Sequence, residues 1–516
     1  MHRNHAGATK AWLAAVLVSL WSSTAVLTAQ IPGATDRLQP LFAQSALQKV
    51  QTEADTGYPI MPPRYFPAYT NSSGPNARWL YNGTETWTSG FFSDELYALD
   101  RRFSSLCPHD QEGSGYDWRG WARVWSNVLY WPYEASRTDL GHDVGFISAP
   151  MMAELVIDST NQTARQNVLD NANALASLYS PVVGCTRSWY RGGGSADVPD
   201  QDFEVIIDNM ANLPLLLAAA DLTGNATYRA IAESHANKTI ENHVRPDGGS
   251  FHVVNYNPTT GDIQWRGTAQ GYSNSSTWSR GQAWGMLGFA LMYNATGAPA
   301  YLETAGRMAN YFATHLDNTT GIAPWDFNAP PPLTYDTSAS TIAATAMLVL
   351  SSLEASRDNV TGSDHWAQTA QTLLINTIAV GMDETGTGQA WSGESILGNG
   401  TVNNRADPPN NNTGTIYGDS YFIHAGNHLL SLGLVNCTSG SPATGASRTS
   451  LSSSLVTFAN SSQAFPSAAG AASGTSGGQA AASASPTHTS AASRAGIAAI
   501  GVSSLSLLCG AVALLA

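Results

Sequence analysis

The sequence predicts an all-α protein, an (α/α)6 barrel in which a ring of inner helices is surrounded by outer helices, with long loops over the pocket. Apolar residues recur three and four positions apart through most of residues 38–432, which is the helical period. Segments such as 213–220 and 342–350 are apolar on nearly every face, as expected for helices inside a core. About twelve helices over roughly 400 residues make six hairpins of ordinary size.

The predicted helices are separated by loops rich in Gly, Pro and Asn, and β structure is expected only in loops such as residues 250–255. In chain order the helices are residues 38–54, 91–101, 120–131, 149–158, 163–178, 208–222, 226–243, 278–293, 300–316, 338–356, 365–380 and 420–432.

Both ends of the chain resemble processing signals. Residues 1–29 place basic side chains before a short apolar run and small residues, which is typical of a secretory signal peptide. Residues 438–494 are rich in Ser, Ala and Gly and are predicted to form a disordered stalk. The apolar residues 495–516 are typical of a glycosylphosphatidylinositol attachment signal, a weak transmembrane helix being the alternative. Residues 30–437 therefore form the predicted (α/α)6-barrel domain of a secreted protein, anchored by lipid to the cell surface or cell wall.

The composition limits the partners. A formal net charge of -14 argues against binding to nucleic acid, and an acidic ligand would need a local positive pocket. No Cys or His residues have metal-ligand spacing, so no metal or other cofactor is expected. Cys107 and Cys185 can pair in an oxidising compartment with Cys437 left over, but the sequence leaves the connectivity open. A monomer is expected.

The most informative segment lies at the start of the predicted helix 278–293. Arg280 and Trp284 are four residues apart and therefore share one helix face, and Gln270 precedes them closely. An arginine beside a tryptophan can hold a carboxylate on a flat ring, because its planar fork donates two parallel hydrogen bonds. A structural arginine is the alternative.

Candidate acids interrupt apolar or Gly-rich surroundings. Asp208 follows two isoleucines at the start of an apolar helix, where burial should raise the carboxyl pKa and allow general acid catalysis; an ordinary helix cap is the alternative. Asp143 lies in a Gly-rich segment beside His142. His252 follows a turn, and a structural hydrogen-bonding role is the alternative. Trp87 and Trp189 are either sugar platforms or core residues.

These segments together resemble the unsaturated glucuronyl hydrolases, glycoside hydrolase family 88. The resemblance covers residues 38–434, and the matching blocks occur in the family's order. They are WTSGFF at 87–92, HDVGF at 142–146, DNMANLP at 208–214, WSRGQAW at 278–284, WDF at 325–327, DTSA at 336–339 and GDSYF at 418–422.

The resemblance implies an (α/α)6 barrel that removes, without a metal, a Δ4,5-unsaturated uronic acid from the non-reducing end of lyase-generated oligosaccharides. Asp208 would be the general acid and base. Asp143 would form hydrogen bonds to ring hydroxyls and maintain the number of protons shared by the Asp143–Asp208 pair. The substrate would be bound by the side chains matching family positions, which are Trp87, His142, Trp189, His252, Gln270, Arg280 and Trp284.

Other functions remain open on the sequence. An unsaturated rhamnogalacturonyl hydrolase acting on pectin fragments would use the same chemistry, although the RGQAW form at 280–284 favours the glucuronyl type. A cell-wall mannanase would suit a surface anchor, but it should show adjacent paired aspartates, and the core sequence has none. A catalytically inactive cell-surface carbohydrate-binding protein would keep the tryptophans and lose an acid, whereas Asp143 and Asp208 are both present.

Overall fold

The computed structural model describes residues 31–56, 63–71, 76–110, 113, 115–129, 140–189, 202–382 and 391–437. The chain divides into two units, Met1–Thr444 and Gly445–Ala516, and all described residues belong to the first. The predicted signal peptide, stalk and apolar tail lie outside the described residues.

The first half of the described chain alternates helices with short antiparallel hairpins. Its elements are helix α1 (Ala34–Leu38), a 3-10 turn (Gln39–Phe42), α2 (Gln44–Thr56), strands β1 (Tyr65–Thr70) and β2 (Trp79–Gly83), α3 (Ser89–Arg101), a π turn (Arg102–Leu106), α4 (Trp118–Asn127), α5 (Val144–Ile157), α6 (Gln162–Ser177), β3 (Tyr179–Ser180), β4 (Cys185–Thr186), β5 (Phe203–Ile206) and a 3-10 turn (Ile207–Ala211).

The second half continues in the same way. Its elements are α7 (Pro214–Thr223), α8 (Ala226–Asn242), β6 (Val253–Tyr256), β7 (Ile263–Gly267), α9 (Ser279–Thr296), α10 (Pro299–Thr314), α11 (Thr337–Ala355), α12 (Val360–Gly381), β8 (Gly400–Asn403), β9 (Asn410–Thr413) and α13 (Ile416–Ser431). Asp336 caps α11 by accepting from the backbone N–H groups of Ser338 and Ala339, and Pro299 occupies the first turn of α10, where its missing N–H costs nothing.

The inner ring of the barrel is continuous. Around it, α3 packs on α5, α5 on α7, α9 on α11, α11 on α13, and α13 returns to α3. Helix α7 contacts α9, and the 3-10 turn Ile207–Ala211, directly before α7, also packs on α9, which closes the ring. The outer helices α4, α6, α8, α10 and α12 each follow an inner helix and pack back on it. This arrangement confirms the predicted (α/α)6 barrel.

A glycine on α9 allows the 3-10 turn to approach the barrel closely. A side chain at Gly288 would overlap the backbone carbonyl of Met210, so only glycine fits at this contact. Because Asp208 belongs to the same turn as Met210, this close approach fixes the depth at which the carboxyl group lies beside α9.

Several helix bounds differ from the sequence prediction. Helix α5 begins at Val144 rather than at residue 149, and the N–H of Phe146 in its first turn donates to Oδ1 of Asn212, which supports this earlier start. The predicted helix 208–222 is split into the 3-10 turn and α7, since Pro214 starts a new helix. Leu140–Ile157 and Thr337–Ala355 are long and apolar enough to cross a membrane, but 72% and 94% of these windows are buried in the fold.

The disulfide joins Cys107 to Cys437, two residues separated by 330 positions, and Cys185 is a free buried thiol. The pairing of Cys107 with Cys185 considered from the sequence is therefore wrong. Cys185 lies instead with Val205 and Val254 in a small apolar cluster behind the β5–β6–β7 sheet.

Candidate active site

A three-stranded sheet brings Asp208 and His252 together. Strand β6 pairs with β5 and with β7, and Ile206 lies opposite Val253. The pairing continues past β5, where the Ile207 N–H donates to the His252 carbonyl at 3.0 Å. Asp208 follows in the 3-10 turn, so the register places its side chain near the imidazole.

The carboxyl group of Asp208 is buried. Burial raises its pKa to about 6, with a contribution from the nearby Asp143 carboxylate, while His142 and Arg280 act in the opposite direction. Its Oδ2 atom makes no hydrogen bond within the described part of the chain. A carboxyl group with this pKa is partly protonated near neutral pH, which a general acid requires.

Hydrogen bonds fix the tautomer of His252. Its Nδ1 accepts from the backbone N–H groups of Ala269 and Gln270 at 3.3 and 3.4 Å. Burial and the nearby Arg280 cation hold the pKa of His252 well below its usual range, so the ring is neutral. The proton therefore lies on Nε2, which is 3.8 Å from Oδ2 of Asp208.

Asp143 lies directly before α5, and its side chain makes no capping hydrogen bond to that helix. Nε2 of the buried His142 is 3.1 Å from Oδ1 of Asp143, although neither ring nitrogen of His142 has hydrogen-bond geometry to a partner in the described residues. The side chain of Asp143 is 22% exposed. Its carboxylate is thus more accessible than that of Asp208.

Arg280 is held by groups on two other elements. Its Nη1 donates to Oδ2 of Asp336 at 2.8 Å and to the Thr401 carbonyl, and Nη2 donates to the Val402 carbonyl at 2.8 Å. The guanidinium lies over the Trp278 ring at 4.5 Å and the Tyr417 ring at 5.1 Å. The sequence offered a receptor or a structural arginine, and these contacts supply the structural role.

The receptor role of Arg280 stays a prediction that the geometry permits. The guanidinium carries five N–H groups, and Nε–H and one Nη2–H have no partner among the described residues. These two groups belong to adjacent nitrogens, which is the arrangement that binds a carboxylate in a two-point manner.

Gln270 and Trp189 lie around His252. The Gln270 side-chain amide donates to the Val402 carbonyl at 3.3 Å, the same carbonyl that Arg280 contacts. Trp189 pairs with Glu204 across an isolated bridge and presents its ring to the His252 ring at 5.8 Å, edge to face. The structure therefore brings Asp208, His252, Gln270, Arg280 and Trp189 to one region.

Aromatic side chains from four inner helices and the loop before α3 pack together near this region. Trp87 is half-buried and lies 4.8 Å from the Tyr417 ring. Trp284 has no exposed surface and packs on Phe146 at 4.9 Å and Tyr421 at 5.3 Å. Trp284 is thus a wall residue in this structure, and a contact between its face and a sugar ring stays a prediction, as it does for Trp87.

Three residues that complete the site were not predicted from the sequence. Asp336 neutralises Arg280, and Tyr417 covers the guanidinium. The Trp278 ring packs on the His252 ring with centres 4.4 Å apart and planes tilted by 34°. Asp336 and Trp278 belong to blocks that carried the family resemblance, which was a usable signal. Tyr417 directly precedes such a block and had no signal of its own.

The assembled side chains can perform proton transfer on a ring that carries a carboxylate. They comprise a buried, partly protonated acid, a neutral imidazole donor, a more exposed carboxylate and a fixed guanidinium with free N–H groups. Among the described residues, no three or more His, Cys, Asp or Glu side chains are grouped so that they could hold a metal ion.

Comparison with known proteins agrees with this chemistry. No protein-family model matches the chain. An unsaturated glucuronyl hydrolase of Formosa agariphila is 33% identical over 346 residues, which are 66% of this chain and 79% of that protein. An unsaturated glucuronyl hydrolase of Bacillus sp. strain GL1 is 33% identical over 358 residues, 69% of this chain and 88% of that protein.

The solved structures confirm the fold. The crystal structure of the Bacillus sp. GL1 enzyme superposes with a TM-score of 0.62 at 29% identity, covering 78% of this chain and 98% of that one. A heparin-specific unsaturated glucuronyl hydrolase gives a TM-score of 0.64 at 23% identity, covering 78% and 100%. With curated relatives that are 33% identical and covered over 79% and 88% of their length, the chain belongs to the unsaturated glucuronyl hydrolase family of glycosidases.

Proposed function

We propose that this site removes a Δ4,5-unsaturated uronic acid from the non-reducing end of lyase-generated oligosaccharides by hydrating the enol ether. The observation that carries the proposal is Asp208, a buried carboxyl group whose pKa is raised to about 6. Its Oδ2 makes no hydrogen bond within the described residues and lies 3.8 Å from a neutral imidazole. Fragments of glycosaminoglycans are the proposed substrates, because the Bacillus sp. GL1 enzyme is described as responsible for glycosaminoglycan degradation.

The reaction proceeds through proton transfers that Asp208 can supply. The protonated carboxyl group gives its proton to C4 of the sugar, which leaves positive charge shared between C5 and the ring oxygen. Water then adds to C5 and returns one proton to the Asp208 carboxylate. The resulting hemiketal opens to a ketone, and the anomeric carbon releases the next sugar. One water is consumed, and Asp208 ends in its starting state.

The other residues prepare this proton transfer. A charged His252 would stabilise the Asp208 carboxylate and lower its pKa, so that less of the group would hold a proton near neutral pH. The neutral ring therefore preserves the proton on Asp208. Asp143 adds negative charge nearby and raises the pKa of Asp208 further. Its accessible carboxylate can accept hydrogen bonds from ring hydroxyls, and the open N–H groups of Arg280 can hold the uronate.

The experiment measures the loss of enol-ether absorbance when the protein is added to each of a panel of unsaturated disaccharides. The panel comes from glycosaminoglycan, bacterial polysaccharide and pectin lyases. Wild-type protein should consume a glucuronyl member of the panel, and Asp208→Asn should not. Asp262→Asn, a change at an exposed loop residue, serves as the matched control. Turnover of the rhamnose-linked pectin fragments alone would replace the proposal with the rhamnogalacturonyl activity. No turnover of any member would reject enzymatic function of this kind.

We also propose that the chain is secreted and lipid-anchored at the cell surface. Support comes from the signal-like residues 1–29 and 495–516, from the Cys107–Cys437 disulfide, and from exposed glycosylation sequons. The Asn residues of such sequons include Asn71, Asn225, Asn237 and Asn318. Asn399 is a counter-example, because its amide donates to the Val380 carbonyl at 2.7 Å and is not available.

The test of the anchor is release of surface protein by a phosphatidylinositol-specific phospholipase. Mature protein should lack Cys509, and glycopeptides should include Asn237 and exclude Asn399. Detection of a peptide from residues 495–516 in the mature surface protein would mean a transmembrane tail instead.

A further inference from the structure

Asn212 joins the two segments that carry the acidic residues. Its Oδ1 accepts from the backbone N–H of Phe146 at 2.8 Å, and its Nδ2 donates to the Asp208 carbonyl at 3.4 Å. Its own N–H donates to the Asn209 carbonyl at 2.9 Å. The side chain is 1% exposed, so these bonds form away from solvent.

The bond to Phe146 replaces a normal helix cap. Phe146 is the third residue of α5, and its N–H is one of the donors that a helix leaves unsatisfied at its start. An aspartate at the capping position usually accepts such a bond with its own carboxylate. Asp143 directly precedes α5, but its backbone angles are helical (φ -67°, ψ -8°) and its side chain makes no such bond. Asn212, from a different part of the chain, satisfies the Phe146 N–H instead.

The contact is close as well as hydrogen-bonded. A Cβ atom at Gly145 would lie 2.7 Å from Cα of Asn212, nearer than any real side chain allows. The start of α5 therefore lies directly on Asn212, with one amide between the Phe146 N–H and the Asp208 carbonyl.

We propose that Asn212 is a positioning residue that ties the start of α5 to the turn carrying Asp208 and so holds the Asp143 carboxylate beside Asp208. The proposal rests on the proposed function, in which both acids act on the substrate. Without Asn212, the Phe146 N–H would lose this acceptor, and the start of α5 would lose its bond to the turn of Asp208. Asp143, directly before α5, would then no longer be held beside Asp208.

The experiment compares Asn212→Leu and Asn212→Asp with wild-type protein, using the unsaturated disaccharide on which the wild type is active. Leu removes both bonds and keeps the number and branching of the side-chain heavy atoms. Asp keeps the acceptor for the Phe146 N–H and loses only the donor to the Asp208 carbonyl. The matched control is Asn171→Leu, since Asn171 is a buried asparagine on α6 that donates to Ser148 of α5 at 2.7 Å.

Asn212→Leu should lower kcat on the order of 100-fold with a smaller change in KM, because misplacing a reacting group by about 1 Å has effects of that size. Asn212→Asp should retain more kcat than Asn212→Leu. In Asn212→Leu, the alkaline limb of the pH profile of kcat should move to lower pH, since Asp143 no longer raises the pKa of Asp208. In Asn212→Asp, the same limb should move to higher pH, because the variant adds a nearby carboxylate. Asn171→Leu should change thermal stability and leave both kinetic constants and the profile in place.

A role confined to stability predicts a different pattern. Asn212→Leu would then resemble Asn171→Leu, with a lower Tm, normal kcat in the folded fraction and an unshifted pH profile, and that outcome would overturn the proposal. Failure of the proposed function is separate, because it shows as absence of activity in the wild-type protein. If Asn212→Leu does not fold, Asn212→Ala takes its place, because it also removes the acceptor for the Phe146 N–H. A normal kcat and an unshifted profile in Asn212→Ala would reject the positioning role.

Discussion

Nε2 of His252 lies 3.8 Å from Oδ2 of Asp208, and both groups are buried. Since Nδ1 of His252 accepts two backbone hydrogen bonds, its proton is directed to Asp208 and not away from it. At 3.8 Å the two atoms are not yet hydrogen-bonded. The carboxyl group therefore keeps a raised pKa before substrate binds and has a donor at hand when it becomes a carboxylate.

The first prediction concerns the effect of the buried Asp208 carboxyl group on turnover and on the stability of the fold. Asp208→Asn should reduce turnover on the order of 1000-fold or more, because the amide cannot carry the proton. The same variant should be more stable than wild type at pH 7. A native pKa of about 6, against a usual value of 3.8, corresponds to about 3 kcal/mol of instability once the group is ionised.

The pH dependence of stability identifies the cause. Between the two pKa values the folded protein holds a proton that the unfolded chain has lost, so wild-type stability falls as pH rises through this window. The stability gap between Asp208→Asn and wild type should thus grow from pH 4 to pH 7 in denaturant unfolding. An equal gap at both pH values would mean that the Asp208 carboxyl group is not buried as described.

The second prediction concerns activity. Because the protonated form of Asp208 is the acid, kcat/KM should decline as pH rises through about 6. Asp143→Asn removes a neighbouring negative charge, so the decline of its residual activity should move to lower pH. A profile that is flat from pH 5 to 8 in the wild type would assign the rate-limiting proton transfer to another group.

Much of the barrel was predictable because its signal is local. The helical period and the all-apolar segments identified the inner helices, and Asp208 and Arg280 stood out as polar groups in apolar surroundings. Capping and turn effects moved the bounds of α5 and α7, since Pro214 starts a helix that the apolar pattern alone runs together with the preceding turn. Such effects depend on one residue, whereas periodicity depends on many.

The groups that complete the site were harder to predict because they arise from contacts between distant residues. Asp336 pairs with an arginine 56 positions away, and Asn212 contacts an amide 66 positions earlier. The disulfide likewise joins the N-terminal third of the chain to residue 437, which no spacing rule identifies. Family motifs indicated that Asp336 and Asn212 matter, but not which atoms they contact.

The third prediction concerns metals. Activity should survive exhaustive treatment with a chelator and should not rise on adding Mg²⁺, Ca²⁺ or Zn²⁺, because the proposed steps use only proton transfers through Asp208. Wild-type kcat would be measured before and after chelation, with a zinc hydrolase as a positive control for the treatment. Loss of activity that a single metal restores would require a different mechanism.

The fourth prediction concerns the Cys107–Cys437 disulfide, which ties the end of the described chain to the π turn after α3. Cys437→Ser should lower the free energy of unfolding by about 2–5 kcal/mol and leave kcat unchanged. Both cysteines lie beyond the C-terminal ends of α3 and α13, whereas Trp87 and Tyr417 lie at the N-terminal ends of these helices. Cys185→Ala is the control for loss of a thiol, and reductant should shift Tm of the wild type and of Cys185→Ala but not of Cys437→Ser. Insensitivity of the wild type to reductant would mean that the bond is not formed.

The last prediction separates the two roles of Arg280. Its ion pair with Asp336 joins side chains that are 1% and 0% exposed, so Arg280→Met should destabilise the fold by about 3–5 kcal/mol by leaving a buried carboxylate unpaired. Asp336→Asn removes that charge, and the amide can still accept from the Ser338 N–H that Asp336 now caps. The double variant Arg280→Met/Asp336→Asn should therefore recover most of the lost stability.

Activity should not recover with stability if the open Nε–H and Nη2–H of Arg280 hold the substrate carboxylate. The double variant should then keep a loss of about 2–4 kcal/mol in kcat/KM, while Asp336→Asn alone keeps Arg280 and much of the activity. Arg280→Lys should raise KM, since an ammonium group cannot make the two-point contact. Denaturant unfolding and steady-state kinetics on the same variants provide both quantities. A double variant that is stable and within tenfold of wild-type kcat/KM would show that Arg280 serves only to support the pocket.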